Sequence, residues 1–118
     1  MLGTPGAVTV AEDEQGDIVG FVNHVASRDP DADGSIGEVT TVYVLPEHFG
    51  QGYGRALMDA ATEALREAGF SQATLWVLTD NARARRFYEI AGWNLDGASQ
   101  DDTIGGQPVT EVRYRREL

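Results

Sequence analysis

The sequence predicts one domain of the mixed α/β class, in which two helices pack on a single sheet. Two observations support this fold class. The apolar patterns follow the order strand, strand, strand, helix, strand, helix, strand, strand. The length of 118 residues suits one hydrophobic core, so residues 1–118 are expected to form a single domain.

Three strands are predicted in the first half of the chain. Residues 7–13 and 17–27 are rich in apolar and β-branched side chains and are joined by a turn that ends at Gly16. A polar loop over 29–37 leads into a β-branched strand over 38–45. Pro46 should end this strand, because proline cannot donate a hydrogen bond to a sheet ladder.

Both predicted helices lie in the second half. Apolar residues at 57, 58, 61, 64, 65 and 68 recur at helical spacing and predict a helix over 55–68, ended by Gly69. A strand over 72–79 follows, and then a helix from about 81 to 91 with Asp80 as its N-cap and Gly92 as its stop. The segments WNLDGA and VTEVRYRREL are predicted to be closing strands separated by an acidic loop.

Composition narrows the classes of function. The formal net charge of −10 argues against a nucleic-acid-binding protein, which would present a basic face. The absence of Cys and of any apolar run long enough to span a membrane predicts a cytoplasmic protein without membrane contact. The arginines gather in two groups, which suggests either solvated surface or an end of the molecule that attracts an anion. The first group is Arg55, Arg83, Arg85 and Arg86, and the second is Arg113, Arg115 and Arg116.

A glycine-rich turn, FGQGYGRALM over residues 49–58, lies between the third strand and the first helix. The first N–H groups of a helix have no partner inside the helix, and the helix dipole places partial positive charge there. Gly50, Gly52 and Gly54 would let a phosphate approach this backbone closely. The turn lacks the Gly-Lys-Ser/Thr of a P-loop and the spacing of the dinucleotide fingerprint, so a connection without a ligand is the alternative.

The predicted second helix presents two faces. Asn81, Ala84 and Tyr88 share one face at helical spacing, whereas Phe87, Ile90 and Ala91 share another and are predicted to be core. Tyr88 is therefore either a half-buried packing residue with a satisfied hydroxyl or a functional group.

Two segments together, VTTVYVLPEHFGQGYGRALM and LTDNARARRFYEIAGW, resemble the GNAT superfamily of acetyl-CoA-dependent N-acetyltransferases, over about residues 7–118. The family's pyrophosphate loop has the form Gln/Arg-x-x-Gly-x-Gly/Ala. Gly52 and Gly54 match it, and Phe49 stands where Gln or Arg is usual. A shifted register with Gln51, Gly54 and Ala56 also satisfies the pattern.

The resemblance implies a GNAT-like sheet with a V-shaped split between the central strands, where acetyl-CoA would bind as co-substrate. Tyr88 matches the family's general acid, which protonates the departing thiolate, and Asn81 matches a residue that contacts the pantetheine arm or orders the loop. The implied coenzyme-binding set, with no metal, is Val42, Val44, Phe49, Gly50, Gln51, Gly52, Tyr53, Gly54, Arg55, Asn81, Arg83 and Arg86.

Acetylation of an amine also needs a proton acceptor, because the amine must be neutral to attack. Glu38 opens the predicted third strand in a place similar to that of the general-base Glu of histone-type members. His24 and His48 are the other candidates, and a surface carboxylate at a strand end is the alternative role for Glu38.

Two rival functions stay open at this point. A non-catalytic GNAT-fold module that binds acyl-CoA or regulates is supported by Phe49 and by the few residues before the first predicted strand. The segment DPDADGSIGEVT over 29–40 imitates the front half of a calcium loop, but position twelve is Thr40.

The acceptor and the assembly are predicted only in outline. The family usually begins with a strand and two helices that wall the acceptor site. The short N-terminus therefore suggests either a homodimer, in which the second subunit supplies this wall, or a chain that is a fragment. The net negative charge favours a cationic acceptor such as a polyamine, an aminoglycoside or a peptide amine.

Overall fold

The computed structural model describes residues 6–118. The few residues that precede the first predicted strand are mainly residues 1–5, which lie outside this range. The element order confirms the prediction and adds one short 3₁₀ helix, Pro46–His48. The elements are β1 (Gly6–Glu12), β2 (Ile18–Ala26), β3 (Ile36–Val44), α1 (Tyr53–Glu67), β4 (Gln72–Leu78), α2 (Ala82–Ile90), β5 (Asn94–Ile104) and β6 (Gln107–Glu117).

The six strands form one mixed sheet in the order β1-β2-β3-β4-β6-β5. Neighbouring strands are antiparallel except for β3 and β4, which are parallel. The β3–β4 ladder covers three pairs, from Ile36–Gln72 to Glu38–Thr74, although β3 continues to Val44 and β4 to Leu78. A ladder that ends this early is compatible with the V-shaped split, which stays a prediction.

Both helices pack around one hydrophobic core. Leu57, Met58, Ala61 and Leu65 of α1 meet the apolar face of β2, β3 and β4, as the helical spacing predicted. Trp93 and Tyr114 close the core beside α2 and are at most 1% exposed. Ile90 was predicted to be core, and this is wrong, since its side chain is 66% exposed at the last position of α2.

The boundary of β3 differs from the prediction. The strand begins at Ile36, inside the predicted polar loop. A Cβ added to Gly37 would lie 2.7 Å from a methyl carbon of Leu65, so the glycine is needed for close packing of β3 against α1. Glycine is unfavourable in strands, so the local sequence argued against a strand at Gly37. The contact with Leu65 that requires this glycine is visible only in the folded structure.

The prediction of an acidic loop between the last two strands is wrong. β5 runs to Ile104 and β6 begins at Gln107, so only Gly105 and Gly106 connect them. Both glycines have positive φ, 58° and 81°, which a two-residue hairpin turn of type I′ requires. The outer part of β5 is exposed on both faces, so it lacks the apolar alternation from which a strand is recognised.

The acidic segment that imitates a calcium loop is held by arginine. Asp29 and Asp31 both form ion pairs with Arg113, at 3.0 and 2.7 Å. Asp33 instead accepts hydrogen bonds from the backbone and side chain of Ser35. These three carboxylates therefore face different partners, which contradicts the arrangement that a calcium site would need.

Candidate functional site

A groove of about 580 Å³ lies between the end of β3, the glycine turn and the first turns of α2. It brings together most of the predicted site residues, which come from three separate segments of the chain. Its lining comprises Val42, Tyr43, Val44, His48, Phe49, Gly50, Gly52, Tyr53, Gly54, Arg55, Asn81, Arg83, Ala84, Phe87 and Tyr88.

Three nominated residues do not line this groove. Gln51 lies in the glycine turn, where its side chain contacts the His48 ring at 3.1 Å. Arg86 is exposed on α2 outside the lining, and Glu38 lies at the other end of β3. Conversely, Tyr43 and Phe87 line the groove although neither was predicted to be a site residue. Helical spacing had assigned Phe87 to the core.

The glycine turn leaves the start of α1 open. Gly50 and Gly52 have φ of 77° and 88°, and apart from the glycine and its chain neighbours no atom of residues 6–118 lies within 4 Å of where either Cβ would be. Gly52 is the N-cap of α1, and no side chain in the described part of the molecule caps the helix. Because the first N–H groups of α1 lack partners inside the helix, they and the helix dipole favour an anion at this end of the groove.

Gly54 has a different role from the other two glycines. It lies inside α1, and a Cβ there would contact the ring of Phe87 at 3.4 Å and a methyl group of Val44 at 3.9 Å. The third glycine therefore lets α2 and β3 approach the first turn of α1. This contact sets the width of the groove.

Two arginines stand near the open helix end. Arg55, in the first turn of α1, makes an exposed ion pair with Asp59 at 3.3 Å. The guanidinium of Arg83, in the first turn of α2, lies over the ring of Phe49, 4.4 Å from its centre. Positive charge therefore reaches this end of the groove from both helices.

The start of α2 differs from the prediction. Asn81, and not Asp80, is the N-cap, since its side-chain oxygen accepts a hydrogen bond from the backbone N–H of Ala84 at 3.1 Å. Both residue types are good caps, so residue preference alone does not distinguish Asn81 from Asp80. The cap orients the first turn of α2 along the groove.

A partly buried network that the sequence analysis missed links α2 to the sheet. The hydroxyl of Tyr114 donates to a carboxylate oxygen of Glu89 at 2.5 Å and accepts from Nε of Arg85 at 3.0 Å. Arg85 also donates to the carbonyl of Thr79 at 2.9 Å. No local pattern links β6 to α2, so this network could be found only in the folded structure.

Tyr88 lies half-buried on the groove side of α2. Its ring contacts Phe87 edge-on, with centres 5.4 Å apart, and lies 6.2 Å from the ring of Tyr114. Burial raises the pKa of the Tyr88 phenol, so the hydroxyl keeps its proton at neutral pH. A neutral phenol on the groove wall is chemically suited to donate a proton.

Glu38 lies on the opposite face of the sheet from the helices. Its neighbour Gly37 faces Leu65 of α1, and successive residues of a strand point to opposite faces. Glu38 is the third residue of β3 and half-buried, so it is not a carboxylate at an exposed strand end. Burial, with a smaller contribution from the charge of Asp29, raises the pKa of the Glu38 carboxyl.

The two histidines have different environments. His48 lines the groove, with its ring 5.6 Å from that of Tyr53 in an edge-on arrangement. His24 lies opposite Val39 in the sheet, is only 6% exposed, and its buried Nε2 has no hydrogen-bond partner within residues 6–118. Burial lowers the pKa of His24, which keeps the imidazole neutral.

We expect the stability of the protein to fall between about pH 7.5 and about pH 5.5 because of His24. The unfolded chain takes up the proton near the ordinary pKa of about 6.5, before the folded protein does, so stability is lost as the pH falls through that value. Urea midpoints at both pH values should differ less in His24→Leu than in the wild type. An equal difference in the two proteins would contradict the prediction.

Two properties of residues 6–118 bear on alternative roles. Neither helix within residues 6–118 combines the length and apolar character needed to cross a membrane. In the same part of the chain, no group of three or more His, Asp or Glu side chains is arranged to hold a metal ion.

The sequence matches known acetyltransferases. Residues 2–93 match the Acetyltransferase (GNAT) family. The chain is 38% identical over 112 residues to the mycothiol acetyltransferase of Propionibacterium freudenreichii subsp. shermanii, covering 94% of this chain and 34% of that protein. It is 42% identical over 96 residues to the mycothiol acetyltransferase of Thermobispora bispora, covering 78% of this chain and 32% of that protein. The chain thus spans about a third of the length of these relatives.

Solved structures show the same architecture. The nourseothricin acetyltransferase structure is 31% identical, with a TM-score of 0.78 over 96% of this chain and 65% of that chain. The ribosomal-protein-alanine N-acetyltransferase of Brucella melitensis has a TM-score of 0.82 at 24% identity, over 94% of this chain and 68% of that chain. The second likeness concerns the fold alone.

Proposed function

Because this chain belongs to the GNAT acetyltransferase family, we propose that it is an N-acetyltransferase that moves an acetyl group from acetyl-CoA to a primary amine. One observation carries the proposal. The uncapped N-terminus of α1, with open glycines before it, shares a groove with the protonated phenol of Tyr88. An anion site and a proton donor in one groove are what transfer from a phosphate-bearing thioester requires.

The groove suits the coenzyme along its length. Gly50, Gly52 and the first N–H groups of α1 would take the pyrophosphate. The pantetheine arm would run beside Val42 and Val44, where the paired part of β3 and β4 has already ended. An unpaired strand edge offers backbone N–H and C=O groups to an extended ligand.

The proposed chemistry is one direct displacement. The amine nitrogen forms a bond to the thioester carbon and the carbon–sulfur bond breaks, so no acetyl group is carried by the enzyme. Tyr88 gives its proton to the departing sulfur from the helix face of the sheet. Glu38, on the opposite face, takes the amine proton through a water, and its raised pKa makes it a stronger base than an ordinary carboxylate.

The acceptor is proposed to be a cationic amine. The net charge of −10 supports this class, because an acidic surface attracts cations and repels anions. Two relatives are mycothiol acetyltransferases, and each of them is about three times as long as this chain. A panel of polyamines, aminoglycosides and peptide amines would test the class.

Calorimetric titration tests the coenzyme part of the proposal. We expect acetyl-CoA to bind and acetyl-pantetheine, which lacks the pyrophosphate, to bind much more weakly. Equal binding of the two would contradict a pyrophosphate site at the glycine turn. Binding of acetyl-CoA without transfer to any amine would favour the non-catalytic module.

Gly52→Ala should weaken acetyl-CoA binding by about tenfold, because a side chain at the N-cap would change the backbone that faces the phosphates. Gly16→Ala is the matched control. Gly16 has φ of 84° against 88° for Gly52, and both positions have open space. Each change should cost about 1–2 kcal/mol of unfolding free energy, and only Gly52→Ala should change the dissociation constant. Equal affinities would place the pyrophosphate elsewhere.

A homodimer and a cytoplasmic location remain proposals. Val8 and Val10 of the edge strand β1 are 61% and 46% exposed, an apolar surface that a second subunit could cover. Sedimentation at micromolar concentrations would decide between monomer and dimer.

A further inference from the structure

Phe49 and Arg83 bridge the two walls of the groove. Phe49 lies in the turn before α1, where the family motif usually has Gln or Arg, and its ring is 44% exposed. Arg83 lies in the first turn of α2. Its guanidinium carbon is 4.4 Å from the ring centre, a distance at which a cation and an aromatic face attract each other.

Of the two arginines that line this groove, Arg83 keeps all of its hydrogen-bond donors available, whereas Arg55 uses its Nε on Asp59. Arg85, on the same helix as Arg83, donates to Tyr114 and Thr79. Within residues 6–118, no side-chain hydrogen bond or ion pair involves Arg83. Stacking uses the flat face of the guanidinium and leaves the N–H groups at its edge free for an anion.

We propose that Phe49 is a positioning residue whose ring holds the Arg83 guanidinium at the groove mouth, where Arg83 binds a phosphate group of the coenzyme. The cation that the family motif places on the glycine turn is thus supplied from α2. This inference rests on the proposed function, because it assumes that acetyl-CoA occupies the groove. Arg83 would thus place a second cation, besides Arg55, beside the open helix end although position 49 is apolar.

A double-mutant cycle on acetyl-CoA affinity tests the inference. Arg83→Gln should weaken binding about tenfold, and Phe49→Leu about threefold, because leucine has no ring for the guanidinium. The double variant should bind no more weakly than Arg83→Gln alone. Phe49→Tyr, which keeps the aromatic ring, should bind acetyl-CoA as tightly as the wild type. Arg66→Gln, an exposed arginine at the far end of α1, is the control for loss of one positive charge.

A phosphate-free ligand separates positioning from direct contact. Acetyl-pantetheine should bind the wild type and Phe49→Leu equally well, because it has no phosphate for Arg83. The salt dependence of acetyl-CoA binding should also be weaker in Arg83→Gln. Strictly additive losses, an unchanged affinity in Phe49→Leu, or an equal loss with acetyl-pantetheine would each overturn the inference while the proposed function stands.

The stack can also be observed without coenzyme. The aromatic ring should move the Arg83 side-chain proton resonances upfield, and Phe49→Leu should remove this shift. Its absence in the wild type would overturn the positioning role even if acetyl-CoA binds. Failure of the wild type to bind acetyl-CoA would overturn the proposed function and the phosphate contact together, whatever the resonances show.

Discussion

Replacing Tyr88 with phenylalanine should lower kcat by about 100-fold, because the departing thiolate would lose its proton donor. The hydroxyl is the one group removed, and the ring contacts with Phe87 and Tyr114 can persist. The affinity for acetyl-CoA should stay within about twofold of the wild type, since none of the proposed coenzyme contacts uses the Tyr88 hydroxyl. Single-turnover rates with a saturating amine would measure the chemical step directly.

The outcome separates two roles for this residue. A loss in kcat with unchanged coenzyme affinity is the signature of an interaction made in the transition state. A loss in affinity with unchanged kcat would make Tyr88 a packing or binding residue. An unchanged single-turnover rate would remove the general-acid role and leave the fold and the groove intact.

Replacing Arg113 with leucine should destabilise the protein by about 3 kcal/mol, because two largely buried carboxylates lose their shared cation, although Asp96 keeps Arg115 and Asp29 keeps the indole N–H of Trp76. The Arg113 side chain is 7% exposed and binds Asp96 at 2.6 Å as well as Asp29 and Asp31. Asp29 and Asp96 are themselves 15% and 12% exposed. Urea unfolding followed by circular dichroism would measure the loss.

Surface pairs supply the control for Arg113. Arg66 forms an ion pair with Glu63 in which the side chains are 45% and 54% exposed, and Arg66→Leu should cost less than about 1 kcal/mol. If Arg113→Leu does not fold, Arg113→Lys should still fold and unfold at lower urea than the wild type, since lysine cannot reach three carboxylates at once. Equal midpoints for Arg113→Leu and Arg66→Leu would show that the cluster contributes no more than surface pairs do.

Much of the architecture could be predicted because its signals are local. The spacing of Leu57, Met58, Ala61 and Leu65 along α1 predicted both the helix and its buried face. The glycine turn was visible in a few consecutive residues, and the N-cap of α2 was predicted one residue too early, at Asp80 and not at Asn81. The groove lies where β3 and β4 are neighbours in the sheet, because the glycine turn follows β3 and α2 follows β4.

Some local signals misled for identifiable physical reasons. Gly37 weakens a strand pattern, yet it belongs to β3 because Leu65 of α1 needs the space. Ile90 has the spacing of a core residue, but α2 ends at that position and the side chain points to solvent. The polar residues of outer β5 carry no apolar alternation, because neither face of that ribbon is covered.

By itself, the sequence determined the element order, the apolar faces and the glycine-rich start of α1, since each depends on residues close together in the chain. Only the tertiary structure decided which groups the charged side chains contact. Arg113 meets carboxylates from residues 29, 31 and 96, and Arg83 meets the ring of Phe49 across the groove. Such pairs are separated by tens of residues, so their partners are chosen by the folded geometry and by the cost of burying an unpaired charge.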